Sequence, residues 1–387
     1  MTFFLWLFIG LILYCYFGYP LAIALLAKYF PKPVRKSPYE PTISVVISAY
    51  NEEDVIKRKI DNLLSINYLS DKMEILIGSD GSSDNTNNIL SSYTDHRLRI
   101  YINNERHGKM KTVAKLISMA KGDIIVFNDT RQILDANAIA NLVANFTDPA
   151  VGCASGELIL EDKDGGATAK GINAYWEYEK FIRNQESTVH SMLGATGAFY
   201  AIRKNLYKEG PANIVLDDMY TPLRIIQQGY RAIFDGSAHA YDKAAHTPKE
   251  EHNRKARTLY GNYQIFGIFP DLFNPFVSPI AIQFFSHKFL RVIVPFLMLA
   301  LIPLNILIVK QEGSDALYAS LLFLQILFYT MASLGLLLRN HKNGPFSLFS
   351  KLCYIPYVFC LLNFSALAGF YRFISARQSI TWDKARA

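Results

Sequence analysis

Three short apolar runs in this chain end in side chains that could do chemistry. "TISVVIS" (Thr42–Ser48) leads to Tyr50, Asn51 and Glu52. "MEILIGS" (Met73–Ser79) leads to Asp80, Ser82 and Asp84, and "DIIVFND" (Asp123–Asp129) ends in Asp129, with Arg131 two positions on. An aromatic ring and a carboxylate can grip a nucleobase by stacking and hydrogen bonding, and Tyr50 and Asp80 are placed for that. Each set alone is ordinary turn chemistry; three together are what a nucleotide site needs. Lys109 follows Gly108 at an expected helix start. It is either a solvated charge or a cation that neutralises phosphate. Asp217 and Asp218 adjoin at another helix start, as partners of the helix dipole or as proton acceptors. The small residues Gly194, Ala195, Thr196 and Gly197 form either a tight turn or a surface that a ligand can approach closely.

The elements that must position these groups alternate. Short apolar runs are separated by helical patterns at Glu52–Ile66 and Lys109–Lys121. That alternation predicts a mostly parallel sheet with helices on both faces. Ligands bind such sheets beyond the carboxyl ends of the strands, where the candidate residues fall. Ser82, Ser83 and Asp84 read as a turn that caps the next helix.

Apolar residues make up 51% of the 387 residues and charged ones 19%, which is apolar for a soluble enzyme. The excess is concentrated in residues 1–27, Val292–Val309, Ala316–Leu338 and Leu352–Tyr371, each free of charge and long enough to cross a bilayer. The first lacks a basic start and a small-residue cleavage site, so it reads as an anchor rather than a signal peptide. The net charge of +7 suits a membrane surface, because the basic residues flank the apolar spans; no nucleic-acid partner is expected. Lys28, Lys32, Arg35 and Lys36 put the end of the first span in the cytoplasm. Lys288 and Arg291 do the same before the second. "KQEGSD" (Lys310–Asp315) is then external and "RNHK" (Arg339–Lys342) cytoplasmic. A fourth crossing would place Arg372, Arg377, Lys384 and Arg386 outside. Either that segment, with Pro356 and Asn363, turns back, or the rule fails. "GIFPDLFNPFVSPIAIQFFSHK" (Gly267–Lys288), broken by three prolines, reads as interfacial segments. The expected domains are an N-terminal transmembrane helix (1–30), a cytoplasmic catalytic domain (31–265), and interfacial helices with a C-terminal transmembrane region (266–387). The multi-pass protein is expected in the cell (inner) membrane. Four cysteines at unpaired spacings suggest neither a metal site nor a disulfide framework.

"VVISAYNEEDVI", "GSDGSSDNT", "RHGKMKTVAKLISMAKGDIIVFNDTRQ", "GATGAFYAIRK", "LDDMYTPLRIIQQGYRAIFD", "SHKFLR" and "RQSITWDKAR" occur in the order seen in family 2 glycosyltransferases. They resemble the membrane-embedded branch that includes cellulose, hyaluronan and poly-N-acetylglucosamine synthases, over nearly the whole chain. The resemblance implies an α/β GT-A domain with a mixed, mostly parallel sheet, a UDP-sugar donor and inversion at the anomeric carbon. It implies uridine contacts from Tyr50, Glu52 and Asp80, phosphate contacts from Lys109, Arg254 and Arg257, and an acceptor surface at Gly194–Gly197. It makes Asp218 the catalytic base, with Asp217 orienting it. It also implies Mg2+ or Mn2+ on Asp129.

Two departures from that pattern matter. The family usually has a second Asp where Arg131 stands; Arg131 is expected beside the donor rather than on the metal. "HNRKARTLYGN" has Arg254 and Thr258 where the polymerising synthases show Gln and Trp. Trp176 either substitutes as a stacking platform for the acceptor or anchors a helix at the bilayer surface. The leading expectation is a synthase that builds an extracellular polysaccharide and threads it through its own spans. The alternatives are transfer of one sugar to a lipid-linked acceptor, and an inactive scaffold in an export complex. Oligomer or export partners fit each of these.

Overall fold

The computed structural model describes residues 1–161, 167–243, 248–311, 315–338 and 347–375. In chain order the helices are α1 (Thr2–Leu13), α2 (Tyr19–Tyr29), α3 (Ile56–Leu64), α4 (Thr86–Ser91), α5 (Lys109–Met119), α6 (Ala138–Val143), α7 (Ala167–Val189), α8 (Asp217–Gln227), α9 (Pro248–Ile268), α10 (Ala281–Gln283), α11 (Leu290–Gln311), α12 (Ala316–Leu338) and α13 (Ser347–Ile374). The strands are β1 (Ile43–Ala49), β2 (Met73–Asp80), β3 (Leu98–Asn103), β4 (Ile124–Asn128), β5 (Ile133–Leu134), β6 (Val151–Glu161), β7 (Phe199–Arg203) and β8 (Arg231–Lys243). They form two compact units that interleave in sequence. One holds residues 26–161 and 181–244; the other holds 1–25, 162–180 and 245–378. The second takes in stretches that the sequence reading had assigned to the catalytic domain.

The first unit is built on an eight-stranded sheet in the order β3-β2-β1-β4-β7-β6-β8-β5. β1 to β4 run parallel, and β7 is antiparallel to both β4 and β6. Parallel strands covered on both faces read as continuous apolar runs, which is why "SVVIS" and "IIVF" show no alternation. Val45, Ile47, Ile75, Ile77 and Val126 pack with Ile56, Ile60, Leu63, Ile139 and Leu142 from α3 and α6. On the other face α5 lies so close to β2 that a Cβ at Gly78 would stand 2.6 Å from the Thr112 side chain.

α3 starts at Ile56 rather than at Glu52. Asn51 turns left-handed (φ 54°), a conformation asparagine tolerates, and the Glu52 amide donates to Thr86 Oγ1. Those residues are spent on a turn.

Among the described residues, four helical stretches are long and apolar enough to cross a membrane: Thr2–Tyr29, Ala281–Gln311, Ala316–Leu338 and Leu352–Ile374. The second begins at Ala281, just after Pro279, rather than at Val292, so the expected interfacial stretch is shorter. Short helical turns at Pro270–Phe273 precede it. α13 runs unbroken through Pro356 and Asn363 and does not turn back between Ser347 and Ile374. It lies so close to its neighbours that a Cβ at Gly335 of α12 would run into the Cys353 carbonyl. A Cβ at Gly369 would come within 2.9 Å of the Ala256 carbonyl of α9. Half of the "KQEGSD" loop (312–314), "RNHK", and the tail with "RQSITWDKAR", Arg377, Lys384 and Arg386 lie outside the described residues.

Candidate active site

At the carboxyl ends of β1, β2 and β4 the polar groups first hold each other. Asn51 links two strand ends: its amide donates to Ser82 Oγ (3.1 Å) and its Oδ1 accepts from the Ser83 amide (2.8 Å). Asp84 accepts from the Glu53 and Thr86 amides, which is the expected turn; the residue at the cap of α4 is Asn85, which makes no side-chain cap bond. Asp80 is buried and accepts from the His107 and Gly108 amides (2.9 and 2.8 Å) and from Thr112 Oγ1 (3.0 Å). Its carboxylate therefore fixes the loop that enters α5. The left-handed Gly108 (φ 93°) ends that loop, and Lys109 begins the helix. Tyr50 presents its ring, and the Arg106 guanidinium stacks 3.7 Å above it.

Lys109 is the centre of the arrangement. Its Nζ lies 3.1 Å from Asp129 Oδ1 and 3.3 Å from Asp217 Oδ2. Burial alone would depress its pKa; the two carboxylates outweigh burial and raise it, so it is charged. Lys109 and Asp129 each keep about 30% of their side chain exposed, so a ligand can reach the pair. Lys109, Asp129 and Asp217 line one pocket with Ser48, Asn128, Gly197 and Tyr200. Asn128 Oδ1 is buried there with no hydrogen-bond partner among the described residues.

Asp218 sits beside this pair at the start of α8. Its carboxyl is pushed up to about 6, chiefly by burial and then by Asp217, against the pull of Lys109 and Arg183. A carboxylate with a pKa near working pH suits a general base. The small-residue turn packs on it. The Ala195 amide donates to the Asp218 carbonyl (2.8 Å). A Cβ at Gly197 would stand 2.7 Å from Asp218 Oδ2 and push that carboxylate aside, whereas a Cβ at Gly194 would find ordinary room. Thr196 donates its amide to Ser155 Oγ and accepts at Oγ1 from Arg183 Nη1 (2.6 Å).

Arg131 is half-exposed and pairs with Asp242 of β8 at 3.7 Å. Lys109, not Arg131, is the cation beside Asp129. α3 clamps the segment after Asp129: Arg58 Nη2 donates to the Arg131 carbonyl (3.3 Å), Lys59 Nζ to the Gln132 carbonyl (2.5 Å) and Asn62 Nδ2 to the Leu134 carbonyl (3.0 Å). Lys59 is fully buried, and burial lowers its pKa to about 7. Its place in the Ile56–Ile60–Leu63 stripe was a readable signal, since a lysine at core spacing needs a buried partner. Nothing in the sequence pointed to Arg183.

Of the residues singled out in the sequence, the sheet unit brings together Lys109, Asp129, Asp217, Asp218 and Gly194–Gly197, with Tyr50, Glu52 and Asp80 at the neighbouring strand ends. Trp176, Arg254 and Arg257 belong to the helical unit. There the Arg254 guanidinium lies 4.8 Å from the Trp176 ring and Lys255 Nζ 5.5 Å.

Residues 44–210 match the family described as Glycosyl transferase family 2. This segment is a family 2 glycosyltransferase domain. The domain is similar to the poly-beta-1,6-N-acetyl-D-glucosamine synthase of Staphylococcus aureus, 23% identical over 228 residues. The match covers 58% of this chain and 55% of that protein, so it spans about half of the relative's length. The O-antigen chain rhamnosyltransferase RfbN of Salmonella typhimurium is 26% identical over 55% of this chain and 69% of its own. The mannosyltransferase PcManGT of Pyrobaculum calidifontis, solved with GDP-Man and Mn2+, superposes with a TM-score of 0.72 at 21% identity, over 97% of this chain and all of that one. That likeness gives the glycosyltransferase domain its GT-A fold and extends over the apolar helices.

Proposed function

We propose that this protein is an inverting membrane glycosyltransferase that transfers a sugar from a UDP-sugar to a growing extracellular polysaccharide. The observation that carries the reading is Lys109 held between Asp129 and Asp217, next to a carboxyl raised to about 6. Asp218 takes the proton from the acceptor hydroxyl as that oxygen bonds to the anomeric carbon. The bond from that carbon to the diphosphate oxygen breaks, and UDP leaves with the electron pair. Lys109 swings from its carboxylates to the diphosphate and neutralises the leaving charge. Displacement by the acceptor inverts the centre, with no sugar bound to the enzyme. Tyr50 and Glu52 hold the uridine, with Asp80 fixing the loop beside it; the family resemblance assigns Arg254 and Arg257 to the donor phosphates. Gly194–Gly197 faces the acceptor, and Trp176 is the stacking residue that the resemblance offers for an acceptor sugar.

The cation we propose for this site is a divalent metal on Asp129. Asp129 keeps Oδ2 beside the Oδ1 that Lys109 engages. Hard oxygen donors suit Mg2+ or Mn2+, which would neutralise the diphosphate. Thr258 in place of the synthases' Trp favours a second reading, one sugar added to a lipid-linked acceptor.

The test is to incubate the purified protein in lipid with a panel of UDP-sugars and GDP-mannose and to size the product. A ladder of long chains supports the polymerase. A single-sugar lipid supports the second reading, and transfer from GDP-mannose alone overturns the UDP assignment. No turnover with any donor leaves the export scaffold.

A further inference from the structure

Arg183 lies on α7, far in sequence from both acidic pairs, yet it is tied to the turn that packs on Asp218. Its Nη1 donates to Thr196 Oγ1 at 2.6 Å, and its guanidinium covers the Phe234 ring at 6.0 Å. The same turn gives the Ala195 amide to the Asp218 carbonyl. It also passes Gly197 so near Asp218 Oδ2 that a Cβ there would push that carboxylate aside. Whatever holds Thr196 therefore holds the wall against which the carboxylate rests.

We propose that Arg183 is the positioning residue of the catalytic base, fixing the Gly194–Gly197 turn against Asp218 and keeping a positive charge on the acceptor side of that carboxylate. This rests on Asp218 acting as base. The groups that face Asp218 come from every element around it. Asp217 on α8 and Asp129 after β4 favour its protonated form; Lys109 on α5 and Arg183 on α7 favour the ionised one. The Tyr200 hydroxyl on β7 is neutral, since burial and both aspartates raise its pKa. Two cations thus oppose two carboxylates. When Lys109 moves onto a diphosphate, Arg183 stays in place as a side-chain cation that favours the ionised base. Opposite charge at short range favours the charged form.

The experiment separates charge from hydrogen bonding. Arg183→Gln keeps a donor for Thr196 and loses the charge; Arg183→Lys keeps the charge and loses the planar fork. The acid limb of the turnover–pH profile is measured for both, with the donor KM. Arg183→Gln is expected to move the limb upward by about half to one unit. That is about a two- to fivefold loss near pH 6, growing towards three- to tenfold below pH 5 and fading by pH 8.5, with the donor KM unchanged. Arg183→Lys is expected to return the limb to its wild-type place. Loss that is equal at all pH values, or a limb unmoved in Arg183→Gln, overturns the proposal. Asp218→Asn distinguishes this from failure of the base assignment. If that variant still turns over, the assignment is wrong; if it is dead while the Arg183→Gln limb stays put, only the role given to Arg183 is wrong.

Discussion

At the scale of single residues, Asp218 links function to a stability cost. Its folded-state pKa of about 6 lies above the usual value of 3.8, so the fold prefers the protonated form. Stability that is fully present below about pH 4 is lost as pH rises to about 6, amounting to about 3 kcal/mol. Asp218→Asn is expected to lose transfer by about 10²-fold or more. It should also raise the denaturation midpoint at pH 7.5 and leave it unchanged at pH 4. Equal midpoints at both pH values would show that the buried carboxylate carries no such cost. Arg131 is a residue-scale question too. Its partner is Asp242, so Arg131→Asp would set two carboxylates together beside Gln132. It is expected to lower stability and to tighten Mn2+ binding measured by calorimetry in the presence of UDP. Unchanged Mn2+ affinity would place Arg131 outside the metal's reach.

At the scale of elements, the described helices of the second unit meet where side chains are missing. Gly335 faces the backbone of α13, and backbone cannot give way as a flexible side chain can. Close helix approach of this kind depends on small residues. Gly335→Leu is expected to separate α12 from α13 and to lower the thermal midpoint in detergent by several degrees. Gly10, which has open space around it, is the control, and Gly10→Leu should leave the midpoint unchanged. A like effect at both positions would mean bulk rather than contact is at work. In the sheet unit, α3 plays the equivalent part for the segment after Asp129, through Arg58, Lys59 and Asn62. Helix α3 thus reaches the site through backbone carbonyls, and none of its own side chains lines the pocket.

For the whole molecule, four long apolar helical stretches predict membrane embedding rather than surface attachment. Alkaline carbonate should leave the protein in the membrane pellet, and detergent should release it. Release by carbonate alone would contradict the spans. A polybasic surface contact would instead yield to salt within the Debye regime, so high salt offers a second discrimination.

The order of strands and helices around the site was legible in the sequence because parallel strands buried on both faces leave uninterrupted apolar runs, and strand ends leave polar punctuation. Asp129 was readable as a candidate for the same reason, and Lys109, Asp217 and Asp218 as charges at expected helix starts. The membrane spans were readable because length and absence of charge are all that hydrocarbon demands. Pairing was not legible. That Lys109 bridges Asp129 and Asp217, that Arg131 turns to Asp242, and that Arg183 reaches Thr196 are contacts between residues 13 to 111 positions apart. No local pattern encodes them; the strand order decides which side chains meet. Asp80 shows the same division. Its type and place at a strand end suggested a ligand contact, and only the packed loop shows its oxygens spent on three donors of the chain itself.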